Sequence, residues 1–469
     1  MERLSGLDAS FLYLESSAQL MHVCGLILLD PSTVPGGYSF ERLRTDLEQR
    51  VRSLPAFRRK LRQVPLEIDH PVWVDDAEFD IDRHLHRFAV PSPGGVDELA
   101  ELCAHMAGIP LDRSRPLWEM SVVEGLGSGQ VAVFTKMHHA TVDGVSGANM
   151  ISVLCSLEPD APPLDSGLDA AVEAGVSGHV PSDLELFGRG LLATALKPWQ
   201  LLRMVRPTTS LVARTIERAR EGTAMAAPLT APRTAFNGNI SGRRAIAFAD
   251  LSLDRIKEVK HAVEGATVND VVLAVSGGAL RRYLATRKDL PSTSLLASVP
   301  VSVHGKSTIE GGTNKVSTIF ARLGTDVADP VERLTGLAWA NANAKAHHNA
   351  IPADTLQEWA QFAAPRTFGL AVRMVAGLKL AEKGPVIHNL VISNVPGPPV
   401  PLYFMGARID GLYPLGPVFH GAGLNVTVMS SNGKMHVGLI GCRDALPDIA
   451  DLAAEFGAEL DALYAATVA

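Results

Sequence analysis

A pair of adjacent histidines, His138 and His139, is followed by Asp143 and Gly144 in the segment TKMHHATVDGVSG. A neutral imidazole can take a proton from a hydroxyl or an amine near pH 7. A metal site is disfavoured, because the segment lacks HExxH spacing and no third ligand stands nearby. A nucleophilic triad is disfavoured too, because the chain has no G-x-S-x-G elbow and Ser146 would be a poorly placed substitute. The chemistry that remains is that of a lone general base.

The strand that carries the histidines limits which of them could act. If the run from Val131 to His139 is extended, its side chains alternate between two faces. His139 then shares a face with Met137, and His138 shares the other face with Lys136. Only one histidine can readily face a given cavity, and the alternation does not choose between them.

The loop after the histidines leads into a predicted helix, VSGANMISVLCSL. Asp143 stands near the N-cap of this helix, and Gly144 permits a close approach of the backbone. A helix start, a sharp loop and an imidazole would therefore meet at one place. The alternative is that one histidine is a hydrogen-bonded core residue and that Asp143 is only a helix cap.

Helix-like and strand-like patterns alternate along the chain. Helices are predicted in SFERLRTDLEQRVRSL, GVDELAELCAHMAG and ATVNDVVLAVSGGALRRYLATR. Strands are predicted in LWEMSVVEGL, QVAVFTKMHH, LLASVPVSVH, KVSTIFARL, NLVISNVPGP and LNVTVMSSNGKMHVGLIGC, the last with a two-residue hairpin at Asn432-Gly433. The glycine-rich GLGSGQ favours a hairpin turn over a phosphate loop, because no helix start follows it. Two mixed α/β units are expected.

Composition divides the chain into three parts. The stretch from about residue 157 to residue 182 is rich in Pro, Gly, Ser and Asp and lacks a sustained period, which is typical of a linker. We therefore predict an N-terminal domain over residues 1–165, a linker with a basic helical connector over residues 166–240, and a C-terminal domain over residues 241–469.

Overall composition excludes some classes of protein. The 469 residues, 46% of them hydrophobic, are enough for two packed domains of about 100–200 residues each. A formal net charge of −7 provides no overall field that would attract nucleic acid. Cys24, Cys103, Cys155 and Cys442 lack CxxC spacing, and three of them stand among apolar neighbours as small core residues do. A reduced, cytoplasmic compartment is the simplest expectation. The N-terminus has no signal-peptide pattern, and no stretch reaches the roughly 18 apolar residues of a spanning helix.

Several segments together carry a family resemblance. HHATVDG resembles the HHxxxDG signature of coenzyme A-dependent acyltransferases related to chloramphenicol acetyltransferase and to peptide-synthetase condensation domains. The whole chain resembles the bacterial wax ester synthase/acyl-CoA:diacylglycerol acyltransferase family, the triacylglycerol synthases. The matching segments are LSGLDASFLYLE, MHVCGLILLD, RPLWEM, the double histidine, TVNDVVLAV, SNVPGP and VTVMSSNGKMHVGLIGC. The resemblance implies an α/β fold of two similar chloramphenicol acetyltransferase-like domains with mixed sheets and an active-site tunnel at their interface.

The resemblance also implies roles for the residues of the histidine segment. His139 would be the general base, and His138 would have a different role whose loss is milder. Asp143 would brace the loop rather than accept protons, and Gly144 would keep the channel beside the histidine open.

Three further motifs match the family. Pro116, Leu117 and Trp118 match its PLW element. We expect them to form scaffold, as a proline-led strand with a buried indole, and a direct part in the chemistry is the alternative.

Asn269 and Asp270 match its Asn-Asp pair, and Thr267 could cap a helix whose third residue is Asp270. Helix capping and lining of the site both stay open as roles for this pair. Asn394 begins the NVPGP turn, which is expected to shape the site or simply the loop.

The activity implied is direct transfer of a fatty acyl group from acyl-CoA, the co-substrate, to the hydroxyl of diacylglycerol, without metal or prosthetic group. A wax ester synthase that uses long-chain alcohols is the first alternative. A non-catalytic lipid-droplet binding protein of the same fold is the second, and a condensation-type enzyme is the third.

Water-insoluble acceptors are reached only at a lipid surface. We therefore expect a cytoplasmic protein that associates peripherally with the inner membrane or with lipid droplets. Two basic and apolar stretches, from Asp183 to Glu221 and from Thr367 to Gly384, have the character of interfacial helices. For the first stretch, a connector that packs its apolar face on the protein is the alternative.

Overall fold

The computed structural model describes residues 2–52, 54–141, 154–161, 182, 185–188, 228–302, 316–349 and 378–468. Asp143, Gly144 and residues 145–153 of the helix predicted after them lie outside these ranges. So do most of the predicted linker and connector, all but a few residues of the basic stretch that begins at Asp183, and residues 367–377 of the second basic stretch. The predictions that fall there stay predictions. The prediction of a helix after Gly144 is wrong at its C-terminal end, because Cys155 and Ser156 form a strand that pairs with Tyr403 and Phe404.

The first sheet contains the strand that ends in the histidines. Its strands, in spatial order, are β5 (Leu85–Ala89), β6 (Trp118–Glu124), β7 (Val131–His138), β2 (His22–Asp30), β14 (Ala407–Leu415), β13 (Tyr403–Phe404) and β8 (Cys155–Ser156). β5 and β6 run parallel, whereas the other neighbours are antiparallel. Gly125 and Gly129 in the turn between β6 and β7 both have positive φ, so the predicted hairpin turn at GLGSGQ is confirmed.

The second sheet is also mixed. Its strands, in spatial order, are β11 (Val316–Arg322), β10 (Leu296–Ser302), β12 (Leu390–Val395), β15 (Leu424–Ser431), β16 (Lys434–Cys442) and β9 (Arg244–Ser252). β12 runs parallel to both of its neighbours, β10 and β15. Asn432 and Gly433 have φ of 46° and 80°, which is the conformation of a two-residue hairpin turn between β15 and β16. The hairpin prediction is confirmed.

Residues 185–188 are helical, and nine helices with defined bounds lie in the described part of the chain. They are α1 (Gly6–Leu14), α2 (Phe40–Arg52), α3 (Pro55–Arg58), α4 (Val96–Ala107), α5 (Leu253–Ala262), α6 (Val268–Thr286), α7 (Pro330–Asn349), α8 (Leu380–Lys383) and α9 (Ile449–Thr467). Short 3-10 turns occupy Pro31–Thr33, Pro65–Glu67, Ile81–Arg83 and His139–Thr141. A small sheet joins β1 (Glu2–Arg3), β4 (Val72–Asp75) and β3 (Arg59–Arg62). The predicted helix α2 buries Leu43, Leu47 and Val51 on one face, and Phe40 is partly buried.

The C-terminal part of the chain contributes two strands to the first sheet. β14 pairs with β2 from Arg408 opposite Asp30 to Leu415 opposite Cys24, and an Arg408–Asp30 ion pair of 3.0 Å closes one end. The predicted domain boundaries stay predictions. The residues predicted as the C-terminal domain nevertheless contribute strands to both sheets. The sequence could not show this, because pairing across hundreds of residues leaves no local signal.

A shared apolar core joins the two sheets. One cluster of buried side chains takes Leu26 and Phe134 from the first sheet, Cys103 from α4, and Ile246 and Ile440 from the second sheet. The four cysteines are free and buried, whereas core positions were predicted for three of them. Strand β7 therefore contributes to a core that both halves of the chain build.

Candidate active site

Strand β7 ends at His138, and His139 opens a 3-10 turn. The strand is thus one residue shorter than the sequence predicted. Within it the predicted alternation is confirmed, because Met137 packs in one apolar cluster and Phe134 in another on the opposite face. Since the chain turns after His138, the two imidazoles point into different surroundings.

His138 is almost fully enclosed, with a side chain that is 1% exposed. Its Nδ1 accepts a hydrogen bond of 3.1 Å from the backbone N–H of Ala140. Nε2 is therefore the ring nitrogen left to donate, and it faces Oε2 of Glu15 at 3.6 Å. This histidine is held between the turn and a carboxylate, away from solvent.

His22 meets the same carboxylate from the neighbouring strand. It is the register partner of His138, and its Nε2 lies 3.5 Å from Oε1 of Glu15. The two rings meet edge to face with centroids 6.3 Å apart. Burial lowers the pKa of His22 to about 3, so this ring is neutral near pH 7.

Glu15 follows the last residue of α1 and connects several groups. Oε1 accepts from the backbone N–H of Met21 at 3.2 Å, and Arg113 donates to Oε2 through Nε at 3.2 Å and through a second guanidinium nitrogen. Burial alone would raise the pKa of Glu15, but its interactions with His138 and Arg113 outweigh burial and lower the pKa to about 2. Glu15 is therefore ionised at neutral pH.

His139 has a different environment from its neighbour. Its ring is half-buried and stacks on Phe11 of α1, with centroids 4.1 Å apart and planes 23° from parallel. Its backbone N–H donates to the carbonyl of Met21 at 2.8 Å. The ring is thus fixed from one side and accessible in part, which suits a base that must meet a substrate.

Helix α1 positions Phe11 and Glu15. Ser5 caps it by accepting from the backbone N–H of Asp8 at 3.1 Å, and a β-region C-cap at Glu15 ends it. Ala9 and Leu12 pack in a cluster with Leu117 and Ala140, which fastens the helix to the turn beside the histidines.

The PLW residues form the wall behind this turn. Trp118 begins β6, is 1% exposed, and donates from Nε1 to the carbonyl of Phe57 at 2.9 Å. Leu117 is fully buried, and its carbonyl accepts from the backbone N–H of His138 at 3.0 Å. Pro116 forms an isolated bridge with Lys60. The predicted buried indole is confirmed, and these contacts are those of a scaffold.

The Asn-Asp pair lies at the start of α6. Thr267 is the N-cap, and the Asp270 carboxylate accepts from its backbone N–H at 2.9 Å and from its hydroxyl at 2.7 Å, so the predicted cap is confirmed. Asn341 donates to the other oxygen of Asp270 at 2.8 Å. Asn269 and Asn394, both partly exposed, are 3.4 Å apart through their amides. The structure thus brings Asn269 and Asn394 together, whereas Asp270 contacts the Thr267 cap and Asn341.

Four residues of the histidine site were missed by the sequence analysis: Phe11, Glu15, His22 and Arg113. Phe11, Glu15 and His22 stand in or beside segments that carry the family resemblance, yet no spacing rule links positions 15 and 138. Their contact depends on the pairing of β2 with β7 and on the packing of α1. A charged residue that directly ends an apolar helix was the one available signal.

Two negative findings concern the described ranges. Within them, no group of three or more His, Cys, Asp or Glu side chains could hold a metal ion. No helix in the same ranges is long and apolar enough to cross a membrane.

Comparison with known families gives two matches along the chain. The wax ester synthase/diacylglycerol acyltransferase catalytic domain matches residues 4–272, and the C-terminal domain of the same family matches residues 312–464. The first match contains the histidine pair with Glu15, and the second contains β14.

Individual proteins give the same picture. A Mycobacterium tuberculosis protein named as a diacylglycerol O-acyltransferase is 47% identical over 450 residues, which is 96% of this chain and 87% of that protein. The solved wax ester synthase/diacylglycerol acyltransferase of Marinobacter aquaeolei VT8 is 31% identical, with a TM-score of 0.69 and all of both chains covered. The starter condensation domain of rhizomide synthetase, solved with C8-CoA, is 12% identical with a TM-score of 0.54 over 100% of this chain and 94% of that one. At that identity the last similarity concerns the fold alone, that of the two-domain acyltransferases.

Proposed function

Since the chain belongs to the wax ester synthase/diacylglycerol acyltransferase family, we propose that His139 is the general base of an acyl transfer to diacylglycerol. The protein is an acyl-CoA-dependent O-acyltransferase that forms triacylglycerol or wax esters. Beyond the family's activity, we propose the identity of the base, the order of bond changes and the preferred acceptor.

The observation that carries the proposal is the contrast between the two histidines. His138 is sealed, with Nδ1 occupied by Ala140 and Nε2 facing Glu15. His139 is half-buried, with its ring supported by Phe11 and its backbone held by Met21. Only the second arrangement leaves a positioned imidazole that a substrate can approach.

The proposed reaction is direct transfer. His139 takes the proton of the acceptor hydroxyl, and the oxygen attacks the thioester carbonyl carbon. A C–O bond forms as the C–S bond breaks, and the imidazolium returns its proton to the leaving thiolate. No step uses a metal or a prosthetic group. The Asn269 side chain, paired with Asn394, is proposed to line the site near the developing oxyanion.

Diacylglycerol is the proposed main acceptor, because the 47% identical relative is named for that activity. The named alternative is a long-chain alcohol, which would make the protein a wax ester synthase, as the name of the Marinobacter protein allows. A droplet-binding protein without activity is not favoured, because both histidines of the signature are present and are held by Phe11, Met21 and Glu15. A condensation-type enzyme is not favoured either, because the similarity at 12% identity extends only to the fold.

The test is an acceptor panel with purified protein. Labelled palmitoyl-CoA is offered with dioleoylglycerol, with hexadecanol or with no acceptor, and His139→Ala serves as the control for background transfer. Labelled triacylglycerol made faster than wax ester supports the proposal. Wax ester as the main product would reassign the acceptor, and acceptor-independent lipid binding without product would support the droplet-binding alternative.

Peripheral association with a membrane or lipid droplet is a further part of the proposal. Exposed apolar residues support it: Leu229 and Ile387 are 55% and 53% exposed, and the backbone N–H of Leu229 donates to the carbonyl of Ile387 at 3.2 Å. Leu378, which is 58% exposed, precedes Ile387 in the same described segment of the chain. The two basic stretches predicted as interfacial border these positions in the sequence, since one ends at Glu221 and the other spans Leu378.

A further inference from the structure

We infer that Glu15 is a positioning residue for the acyl transfer, because its carboxylate fixes both the backbone of His139 and the orientation of His138. The inference rests on the proposed role of His139 as the base. It assigns to Glu15 no contact with substrate. Three sets of contacts carry it.

The first set is a backbone relay from Glu15 to His139. Oε1 of Glu15 accepts from the N–H of Met21 at 3.2 Å, and the carbonyl of the same Met21 accepts from the N–H of His139 at 2.8 Å. One residue of backbone thus separates the carboxylate from the backbone of the base. A shift of Glu15 is transmitted to His139 through two hydrogen bonds.

The second set orients the neighbouring ring. Nδ1 of His138 accepts from Ala140, so its proton is directed through Nε2 toward Glu15 at 3.6 Å. His22 reaches the other carboxylate oxygen at 3.5 Å. A single carboxylate therefore contacts two rings from adjacent strands. It reaches His138 through the ring and His139 through the backbone of Met21.

The third set ties the loop of residues 15–21 to both halves of the chain. Arg113 donates to the carbonyl of Leu12 at 3.1 Å as well as to Glu15. Arg244, on β9 of the second sheet, donates to the carbonyl of Ala18. The backbone N–H of His420 donates to the side-chain oxygen of Gln19 at 2.8 Å. The loop is anchored at both ends, so Glu15 has a fixed place from which to hold the histidines.

The charges around Glu15 set the sign of its effect on protonation. Arg113 pairs with it directly, and Lys136, buried beneath the histidines, pairs with Glu119 at 2.8 Å. The buried Arg244 adds positive charge that acts on the neutral His22. Glu15 is thus an anion 3.6 Å from His138 and 3.5 Å from His22, and its charge favours a proton on a nearby imidazole. Because His139 is joined to His138 in the chain, we expect removal of that charge to be visible in the pH–rate profile.

The test compares three substitutions with a matched control. Glu15→Ala removes the relay and the charge, Glu15→Gln retains an oxygen for Met21 but removes the charge, and Glu15→Asp retains the charge on a shorter side chain. The control is Glu124→Ala, which removes a partly buried carboxylate that accepts from Tyr38 at 2.8 Å and from Arg87 at 2.9 Å at the far end of β6. Steady-state rates with palmitoyl-CoA and dioleoylglycerol are measured from pH 5 to pH 9, together with thermal unfolding.

The expected results separate positioning from folding. Glu15→Ala lowers kcat about 100-fold, as a displaced base does, while the KM for palmitoyl-CoA changes less than about threefold. Glu15→Gln moves the acid limb of the pH–rate profile about half a pH unit lower, and Glu15→Asp leaves the limb in place. Glu124→Ala keeps the parent kcat and limb.

Two outcomes would overturn the inference. One is a Glu15→Ala protein whose kcat per folded molecule equals that of the parent. The other, decisive if the alanine variant does not fold, is a Glu15→Gln protein with the parent kcat and an unmoved acid limb. A parent protein that forms no product would instead overturn the proposed function, so the two failures are distinguishable.

Discussion

At the scale of the residue, two neighbours of the same type have opposite environments. His138 closes strand β7 and is enclosed by Ala140 and Glu15, whereas His139 opens a turn and stacks on Phe11. The difference arises because the chain leaves the extended conformation between them. Alternation in the sequence correctly separated the two rings, but it could not choose the base, because the choice depends on α1 and on the loop that follows it.

This contrast predicts unequal effects of two substitutions. His139→Ala should lower turnover by roughly 10²–10⁴-fold, the range for a lost general base, while acyl-CoA binding and the melting curve are retained. His138→Ala should lower turnover less and should lower the melting temperature, because it leaves Glu15 and Ala140 without their buried partner. Kinetics and thermal unfolding of both variants check this. Parent activity in His139→Ala would remove the base assignment.

The neutral His22 predicts how stability depends on pH. Burial lowers its pKa in the folded protein to about 3, whereas an unfolded histidine titrates near ~6.5. The unfolded chain therefore binds more protons between these values. The stability that His22 contributes is complete above pH ~6.5 and is lost as the pH falls toward 3.

His22→Gln should therefore reduce the acid sensitivity of the fold. Between pH 7 and pH 5 the parent is expected to lose about 2 kcal/mol more stability than the variant. Denaturant unfolding at the two pH values measures the difference, with His105→Gln on the exposed face of α4 as the control. Equal losses in the parent and in His22→Gln would refute the linkage.

At the scale of the element, helices α1 and α6 position several of the site residues. The sequence predicted α6 and its Thr267 cap, because capping residues and an apolar period are local signals. It also predicted β10, β11, β12, β15 and β16, because short apolar or alternating runs are local signals of strands. It did not predict α1, the helix that brings Phe11 and Glu15 to the histidines. The short segment GLDASFLYL was noted only for its resemblance, since its apolar residues do not form one clear stripe.

The start of α6 predicts different roles for two neighbouring residues. Asp270→Ala should lower stability by about 1–3 kcal/mol, because Thr267 and Asn341 lose a buried acceptor, with kcat per folded molecule retained. Asn269→Ala should leave the melting temperature within a few degrees and lower kcat roughly 10²-fold, the scale of a lost oxyanion donor. Unfolding and kinetic measurements on both variants decide the matter. A reversal of the two patterns would assign the catalytic contribution to Asp270 instead.

At the scale of the whole molecule, the sequence could predict two mixed α/β units but not how they interlock. The pairing of β14 with β2 joins positions about 380 apart in the chain, such as Arg408 and Asp30. No local period reports such a contact. For the same reason the network of Glu15, His22 and His138 became visible only in three dimensions.

Lipid-surface association is also a property of the whole molecule. We expect reversible flotation with anionic vesicles that weakens at high salt, because basic groups supply part of the attraction. Leu229→Ser with Ile387→Ser, and separately Arg203→Glu with Arg206→Glu, should each reduce flotation. Leu66→Ser, at a residue 62% exposed elsewhere on the surface, is the control. Absence of flotation of the parent at low salt would end the proposal.

The position of β14 in the first sheet has a consequence for synthesis on the ribosome. His22 and the rest of β2 emerge early, but the strand that covers one edge of β2 is complete only when Leu415 of the 469 residues has left the exit tunnel. Until then the nascent chain presents the open N–H and C=O groups of β2 to its surroundings, where they can pair with other strands. A message truncated before codon 403 would yield a polypeptide that retains both histidines yet aggregates. The final seventh of the message must therefore be translated before the earlier part can fold into an active enzyme.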